Sequence, residues 1–548
     1  MDQQIIYRRR WAILSVLIVG LLAIVIDNTV LNVALKTIAE PHGGLGASQS
    51  QLEWAINSYT LVFAGLLFTF GVIGDRFGRK RMLMIGLGLF GIGSLLSAYS
   101  HSPDQLIFAR AAMGLGGAAV MPQTLSIISN VFEPRERPRA IGIWASAVGI
   151  GIATGPVLGG LLLAHFWWGS VFLINVPVTI LGAIAVAILV PESKNPDPGK
   201  IDYLGVLLSV AGLILVVYGV VQGGDTGSWL SGGVLGPVFG GLAILGVFAW
   251  HESRISHPSL DVRLFADRRL SASVGAIALL FFGMGGVFFF TTFYLQNVRG
   301  FSPLDAGLLT VPFAAGQLLL APRSAGLVRR YGAKVVGTTG MLVMSVALAG
   351  YALLGTTTPI WILAVFFALQ GAGIGVAMPS ATSAVMDVLP RERAGAGSAL
   401  TNTSRQVGVA LGVAVLGSIL AQAYRDQLRP SLSALSPAVR NAASQSIAAT
   451  QATAQQLGAA GHNLLAPADT AFTHAMHVTT VVAALISLAG ALVVLRWMPG
   501  ARRAEDLPVA AEGARSVGEP VAAEDWITER DEIAGRNERS VEPAGVEG

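Results

Sequence analysis

No cysteine occurs in the 548 residues of this chain, which excludes disulfides, thiolate nucleophiles and cysteine-held metals or clusters. Charge is scarce as well. Asp, Glu, Lys and Arg make up 12% of the residues, about half the share of a soluble chain. Lysine occurs only at positions 36, 80, 194, 200 and 334, at the ends of apolar runs or between them. Neither a phosphate-cradling glycine loop nor a cluster of histidines is present, so the sequence offers no ATP-driven pump, no metal site and no cofactor site.

What fills the chain is apolar. Hydrophobic residues make up 53% of it and the mean hydropathy is +0.63. Windows of about 20 apolar residues, each able to cross a ~30 Å hydrocarbon core, recur along its length. The short N-terminus ends in Arg8-Arg9-Arg10 and runs into such a window with no small-residue cleavage site, so an uncleaved first helix is expected. The windows read as fourteen helices: 11–35, 53–74, 82–100, 105–131, 139–163, 168–190, 201–222, 233–250, 271–296, 303–328, 335–354, 359–387, 395–421 and 472–496.

Loop charges follow the same count. Gly71-Val-Ile-Gly-Asp-Arg-Phe-Gly-Arg-Lys-Arg81 places an Asp, three glycines and four cations between two apolar runs. On the same side fall Arg135/Arg137/Arg139, Lys194/Lys200, Arg254/Arg263/Arg268/Arg269, Arg329/Arg330/Lys334 and Arg391/Arg393. The short loops of the other side hold Arg299, with Lys36 at a helix end. Positive loops stay in the cytoplasm, so both termini are expected there. High Ala and Gly content without Cys points to a bacterial inner membrane. Residues 501–548 carry 12 acidic and 6 basic side chains, whereas the rest of the chain nets +10. The acidic tail, 499–548, reads as disordered. The basic excess belongs to loops, and no nucleic-acid partner is expected.

An internal repeat organises the rest. Met121-Pro122 recurs as Met378-Pro379, and Gly114 and Gly116 recur as Gly371 and Gly373, all at an offset of 257. Pro134-Arg-Glu-Arg137 recurs as Pro390-Arg-Glu-Arg393, and Arg76, Gly78 and Lys80 recur as Arg330, Gly332 and Lys334. The expected fold is an all-α membrane protein with two parallel six-helix bundles, 1–190 and 271–498. A linker, 191–270, inserts two helices between them, and a long outer loop, 422–471, carries surface helices without an assignable role.

The chain resembles the fourteen-helix drug:proton antiporters of the major facilitator superfamily. The resemblance rests on Asp27-Asn-Thr-Val-Leu-Asn-Val-Ala-Leu35, the 71–81 turn, Arg110 ahead of Gly114-Leu-Gly116, and Gly155-Pro156-Val-Leu-Gly159-Gly160. Phe172-Leu-Ile-Asn-Val-Pro177 and Asn402-Thr-Ser-Arg405-Gln-Val-Gly408 add to it. It implies a central cavity that opens alternately to each side, a monomer, and three partners: protons, a small-molecule substrate and the lipid bilayer.

Asp27 lies deep in the first helix, where an unpaired carboxylate is costly and acids mark ion paths. It is either a proton carrier or half of a structural ion pair. Arg110 is its natural partner, or else a side chain that snorkels to the headgroups; a guanidinium keeps its charge and cannot itself carry the proton. The resemblance makes Gly71, Asp75, Arg76, Gly78, Arg79 and Lys80 a cytoplasmic gate, with Asp75 as the switching acid. Gly151, Gly155 and Gly159 share a helix face that a neighbour can approach closely. With Pro156 and Gly160 they resemble the antiporter motif of exporters. Asn28, Asn32, Trp54, Asn57, Tyr59, Phe289, Arg405 and Gln406 are candidates for the substrate cavity. The aromatic run from Phe281 to Tyr294 faces either that cavity or lipid.

These features point to a proton-coupled exporter of hydrophobic or amphipathic compounds, or to a dedicated exporter of one endogenous metabolite. A proton-pumping subunit of a respiratory complex would need Lys and Glu at mid-membrane depth, which the reading does not find. With Asp27 as the one deep carboxylate in view, neutral or weakly charged substrates are favoured over dications.

Overall fold

The computed structural model describes residues 3–41, 43–133, 136–194, 202–255, 262–388, 394–433, 435–458 and 461–498. The acidic tail 499–548 lies outside them, as do Arg135, Lys200, Arg391 and Arg393. No strand occurs among the described residues. The helices are α1 (Gln3–Ala39), α2 (Gln49–Phe77), α3 (Arg79–Ala98), α4 (Pro103–Val131), α5 (Arg137–His165), α6 (Ser170–Leu173), α7 (Asn175–Leu189), α8 (Tyr203–Thr226) and α9 (Gly232–Glu252). After them come α10 (Arg268–Phe293), α11 (Pro303–Leu308), α12 (Val311–Gly350), α13 (Ile360–Val388), α14 (Ala394–Leu428), α15 (Pro437–Ala443), α16 (Ile447–Gln456) and α17 (His462–Trp497).

The expected segments are mostly helical over their described residues, but 168–190 is split between α6 and α7, and 303–328 between α11 and α12, which also carries 335–354. Twelve helical stretches are long and apolar enough to cross a membrane, and α2, bent by 52° between Leu67 and Thr69, makes a thirteenth. On α5 the apolar part, Ile150–His165, is shorter than a span by the same measure, so the count of fourteen crossings is not reached on these grounds. The outer loop is smaller than expected. Helix α14 continues to Leu428 and α17 begins at His462, ten residues before its expected start, with α15 and α16 between them. Tyr424 on α14 explains the docking of that insert: its hydroxyl lies 2.6 Å from the Thr450 hydroxyl on α16, and its ring meets Phe472 of α17 edge-on at 6.2 Å.

The repeat is visible in the packing. A Cβ on Gly114 would come within 2.6 Å of the Tyr59 carbonyl oxygen, and one on Gly371 within 1.9 Å of the Phe313 carbonyl oxygen. Gly116 faces the backbone of Gly86 and Phe90 as Gly373 faces Gly340 and Met344. These contacted residues stand 254 positions apart, so both the glycines and the helices they admit were copied. Gly78 and Gly332, likewise 254 apart, are two of the positive-φ residues (φ 125° and 84°). Gly78 turns the chain between α2 and α3, and Gly332 breaks α12 into two stretches at a kink, a conformation that glycine adopts without steric cost.

The two sets of helices, α1–α7 and α10–α17, meet toward the end away from the N-terminus and the 75–81 turn. Lys36 Nζ of α1 donates to the Gln296 carbonyl at 2.8 Å, and Gln296 Nε2 donates to the Val33 carbonyl at 2.9 Å. Gln296 sits in a π turn, Tyr294–Val298, that closes α10. Gln451 on α16 clasps the same turn through Asn297 Nδ2 at 2.7 Å and the Asn297 carbonyl at 3.2 Å. Helix α8 lies across the α2–α14 seam. Ser418 Oγ of α14 donates to the Val220 carbonyl at 3.0 Å, and Leu61, Val217, Val221, Ala410 and Ala414 form a small apolar cluster between the three helices.

Candidate functional site

Helix α4 reaches α1 and α2 through small residues. A Cβ on Gly117 would stand 2.9 Å from Phe63 Cδ2 and 3.0 Å from the Tyr59 hydroxyl, so glycine there lets α2 come close. Arg110, one helical turn before Gly114, uses that proximity. Its Nε donates to the Ala55 carbonyl at 3.1 Å, its Nη1 donates to Asp27 Oδ2, and its guanidinium lies 4.4 Å over the Tyr59 ring. The other carboxylate oxygen, Asp27 Oδ1, accepts from Asn175 Nδ2 at 3.0 Å, and Asn175 also donates to Ser94 Oγ at 3.3 Å. Asp27 and Arg110 are each 1% exposed. Arg110 therefore does not snorkel. A buried charge pair is tolerated when geometry and extra hydrogen bonds offset the desolvation of both ions, and both oxygens of Asp27 are engaged here.

Around this pair the expected cavity residues divide. Asn28 Nδ2 donates to the Tyr59 hydroxyl at 3.1 Å, which ties Tyr59 to the charge cluster. Asn32 borders a void of about 20 Å³ between the two helix sets, with Pro156, Phe288 and Gln296 on its other walls. Asn57 is buried and neither of its amide atoms has a partner. Trp54 instead turns to α8, its ring 6.4 Å from Tyr218. Phe289 is wholly buried and packs on Phe293 at 5.6 Å. The lipid reading of the aromatic run fails, since Phe281, Phe282, Phe290 and Tyr294 are buried. Helix α10 is enclosed by α13, α14 and α17, so its aromatics fill the interior. Arg405 on α14 lies 5.7 Å over the Phe281 ring, and Gln406 beside it is buried. A larger apolar hollow of about 280 Å³ runs between α1 and α5, lined by Ile18, Leu22, Ile143, Ala147 and Ile150.

At the basic turn, Asp75 accepts from Arg79 Nε at 2.8 Å, so both partners belong to the same turn. Gly71 packs on Pro122, and a Cβ on Gly74 would strike the Gln123 amide. Arg76 is exposed and lies over the Phe77 ring. The Glu192 carboxylate fills the space beside Gly78, accepts from the Lys80 backbone N–H at 3.1 Å and stands 3.7 Å from Arg81. Lys80 Nζ donates to the Ala187 carbonyl at 2.6 Å.

On α5, Gly151 and Gly155 admit Val25 and Thr29 of α1, and Gly159 admits Val30. Gly160 points the other way: a Cβ there would lie 2.6 Å from Leu304 Cα. The Pro156 carbonyl in turn abuts Gly307. The motif thus packs α5 onto α1 with one face and onto α11 with the other.

Sequence reasoning passed over three residues that the structure places at these sites. Asn175 stood in a quoted motif without a role. Glu192 lay beyond a helix end, where nothing marks a carboxylate as a cap for a distant turn. Glu53 coincided with an expected helix start, and the structure buries it at 2% exposure. It is a further enclosed carboxylate, one helical turn into α2.

A bundle built from two parallel repeats is an architecture of secondary transporters, and here the first repeat encloses a buried ion pair. The chain belongs to the Major Facilitator Superfamily, whose model matches residues 17–413. It is similar to the multidrug efflux pump LfrA of Mycolicibacterium smegmatis, 35% identical over 488 residues that span 89% of this chain and 96% of that protein. It is also similar to the methyl viologen resistance protein SmvA of Salmonella typhimurium, 33% identical across 77% of this chain and 84% of that one. Its fold matches the crystal structure of a bacterial homologue of the human lysosomal transporter Spinster, with TM-score 0.62 and 18% identity over 89% of this chain and 97% of that chain. The protein is a multi-pass membrane transporter.

Proposed function

We propose that the protein is a proton-coupled exporter of hydrophobic or amphipathic small molecules, working as a monomer in a bacterial inner membrane with both termini in the cytoplasm. The halves 1–190 and 271–498 rock about the central cavity, and residues 191–270 form a linker that adds two helices. The observation that carries the reading is the Asp27–Arg110–Asn175 cluster, 1% exposed at the core of the first half. A proton arriving at Asp27 competes with Arg110 for the carboxylate. Rearrangement of that pair would connect protonation to the packing of α1, α2, α4 and α7.

Multidrug efflux and resistance relatives support drugs, antiseptics or antibiotics as cargo. With the basic face in the cytoplasm, the contacts Lys36–Gln296, Gly160–Leu304 and Pro156–Gly307 close the outer side. Asp75, held by Arg79 within its own turn, is then the acid free to change partners when the cytoplasmic side closes.

The test is proton release from energised inverted vesicles on addition of candidate compounds. Asp27→Asn is expected to lower substrate-driven proton movement by the proton that Asp27 carries while the protein still inserts. Undiminished proton movement in that variant would remove Asp27 from the mechanism. A panel of unrelated compounds separates a multidrug exporter from one dedicated to a single metabolite.

A further inference from the structure

Glu53 lies near the outer end of α2, on the face that meets α14. A Cβ on Gly417 would stand 2.3 Å from its Oε1 and 2.6 Å from its Cδ. The carboxyl group therefore rests directly on the α14 backbone. Its Oε2 has no hydrogen-bond partner. The charged groups that act on it are Asp225 from α8 and Arg425 from α14. Arg425 forms no ion pair with it, and instead donates to the Gly224 carbonyl and, at 3.1 Å, to Gln422 Oε1. From α4, Asp104 is turned to Gln51, whose Nε2 it accepts at 3.3 Å. An ionised carboxylate held out of water without a cation is strongly disfavoured, and a buried acid inside a membrane bundle marks an ion path. One helical turn further in on the same face, Asn57 offers a buried amide with both polar atoms free.

We infer that Glu53 is a second proton-binding site of the transport cycle, taking its proton from outside when α2 and α14 part and passing it inward past Asn57. The inference rests on the exporter reading above. Loading converts the carboxylate and one hydronium ion to a neutral carboxyl and water, and delivery toward the cavity reverses that change. The neutral form fits beneath Gly417; the ionised form resists closure of the seam. Two protons per cycle also change the cargo that the gradient can drive. Exchange for a monovalent cation then moves one net charge and responds to the membrane potential, whereas exchange for a dication is electroneutral.

The experiment uses the full chain in liposomes with two probes, the monovalent cation ethidium and the dication methyl viologen. Protons moved per substrate are measured for the parent, Glu53→Gln and Asp27→Asn. For Glu53→Gln the ratio is expected to fall about twofold, and ethidium exchange at equal pH is expected to lose its response to an imposed potential. A parental ratio and potential response in Glu53→Gln overturn the inference while leaving Asp27 in place. A parental proton-to-substrate ratio in Asp27→Asn overturns the part given to Asp27 in the exporter mechanism instead. Should Glu53→Gln fail to fold, a hydrophobic carbodiimide applied to the parent decides. Labelling of the Glu53 peptide that falls as external pH rises supports the site, and absence of label at every pH overturns it.

Discussion

The two halves of this transporter share a scaffold and differ in what they bury. At the helix crossings, Gly114 against Tyr59 and Gly371 against Phe313 are the same contact made twice. Between those crossings the first half holds Asp27, Arg110 and Asn175. The region of the second half that corresponds to Arg110 holds Phe366 and Phe367, both against Tyr351 at about 6 Å. Beside them a neutral hydrogen bond joins Tyr351 to Gln370 Oε1 at 2.9 Å. Duplication preserved the close approaches of helices, where any side chain would clash, and left the spaces between them free to diverge. At the two corresponding places the first half keeps an ion pair and the second an aromatic cluster.

Breaking the ion pair should have the largest effect. Arg110→Gln leaves Asp27 buried without its cation, at a cost of about 3–5 kcal/mol, read as a lower midpoint of thermal inactivation in detergent. Adding Asp27→Asn to that variant is expected to recover much of the loss, because no lone charge then remains. Failure to recover would mean that Arg110 stabilises the first half through Ala55 and Tyr59 more than through Asp27.

The glycine crossings come next. Gly114→Ala and Gly371→Ala each force a methyl group against a helix backbone and should destabilise by about 1–3 kcal/mol. Gly371 should be the worse, since its Cβ would stand 1.9 Å from a carbonyl oxygen against 2.6 Å for Gly114. Equal effects would show that the two crossings relax differently. Smallest is Tyr351→Phe, which removes one buried hydrogen bond at a cost of about 1 kcal/mol and should leave transport rates at the parental level. Lost transport there would place a working polar group in the second half.

Much of this was legible because charge is rare in apolar runs: Asp27 and Arg110 stood out for that reason, and loop cations gave the alternation of helices. Positions whose meaning depends on a distant neighbour were hidden. Glu53 drew no notice at the boundary of the expected helix 53–74, yet α2 begins at Gln49 under a Ser48 cap, and α14 together with the inserted α8 covers what a single-helix reading leaves open. For the aromatics of α10, composition cannot tell a lipid-facing side chain from an enclosed one. Only the burial of α10 among α13, α14 and α17 decides it. Glu192, 112 residues from the Lys80 amide it accepts, could not be placed by spacing.

Helix α8 has a consequence for how cargo meets the protein. Two flanks join the halves, α2 with α14 and α5 with α11, and α8 is laid over the first of them. A greasy molecule drifting sideways within the leaflet finds that doorway boarded over. Among the described residues α8 packs on α2 and α14, so the insert makes the two flanks of the transporter unlike.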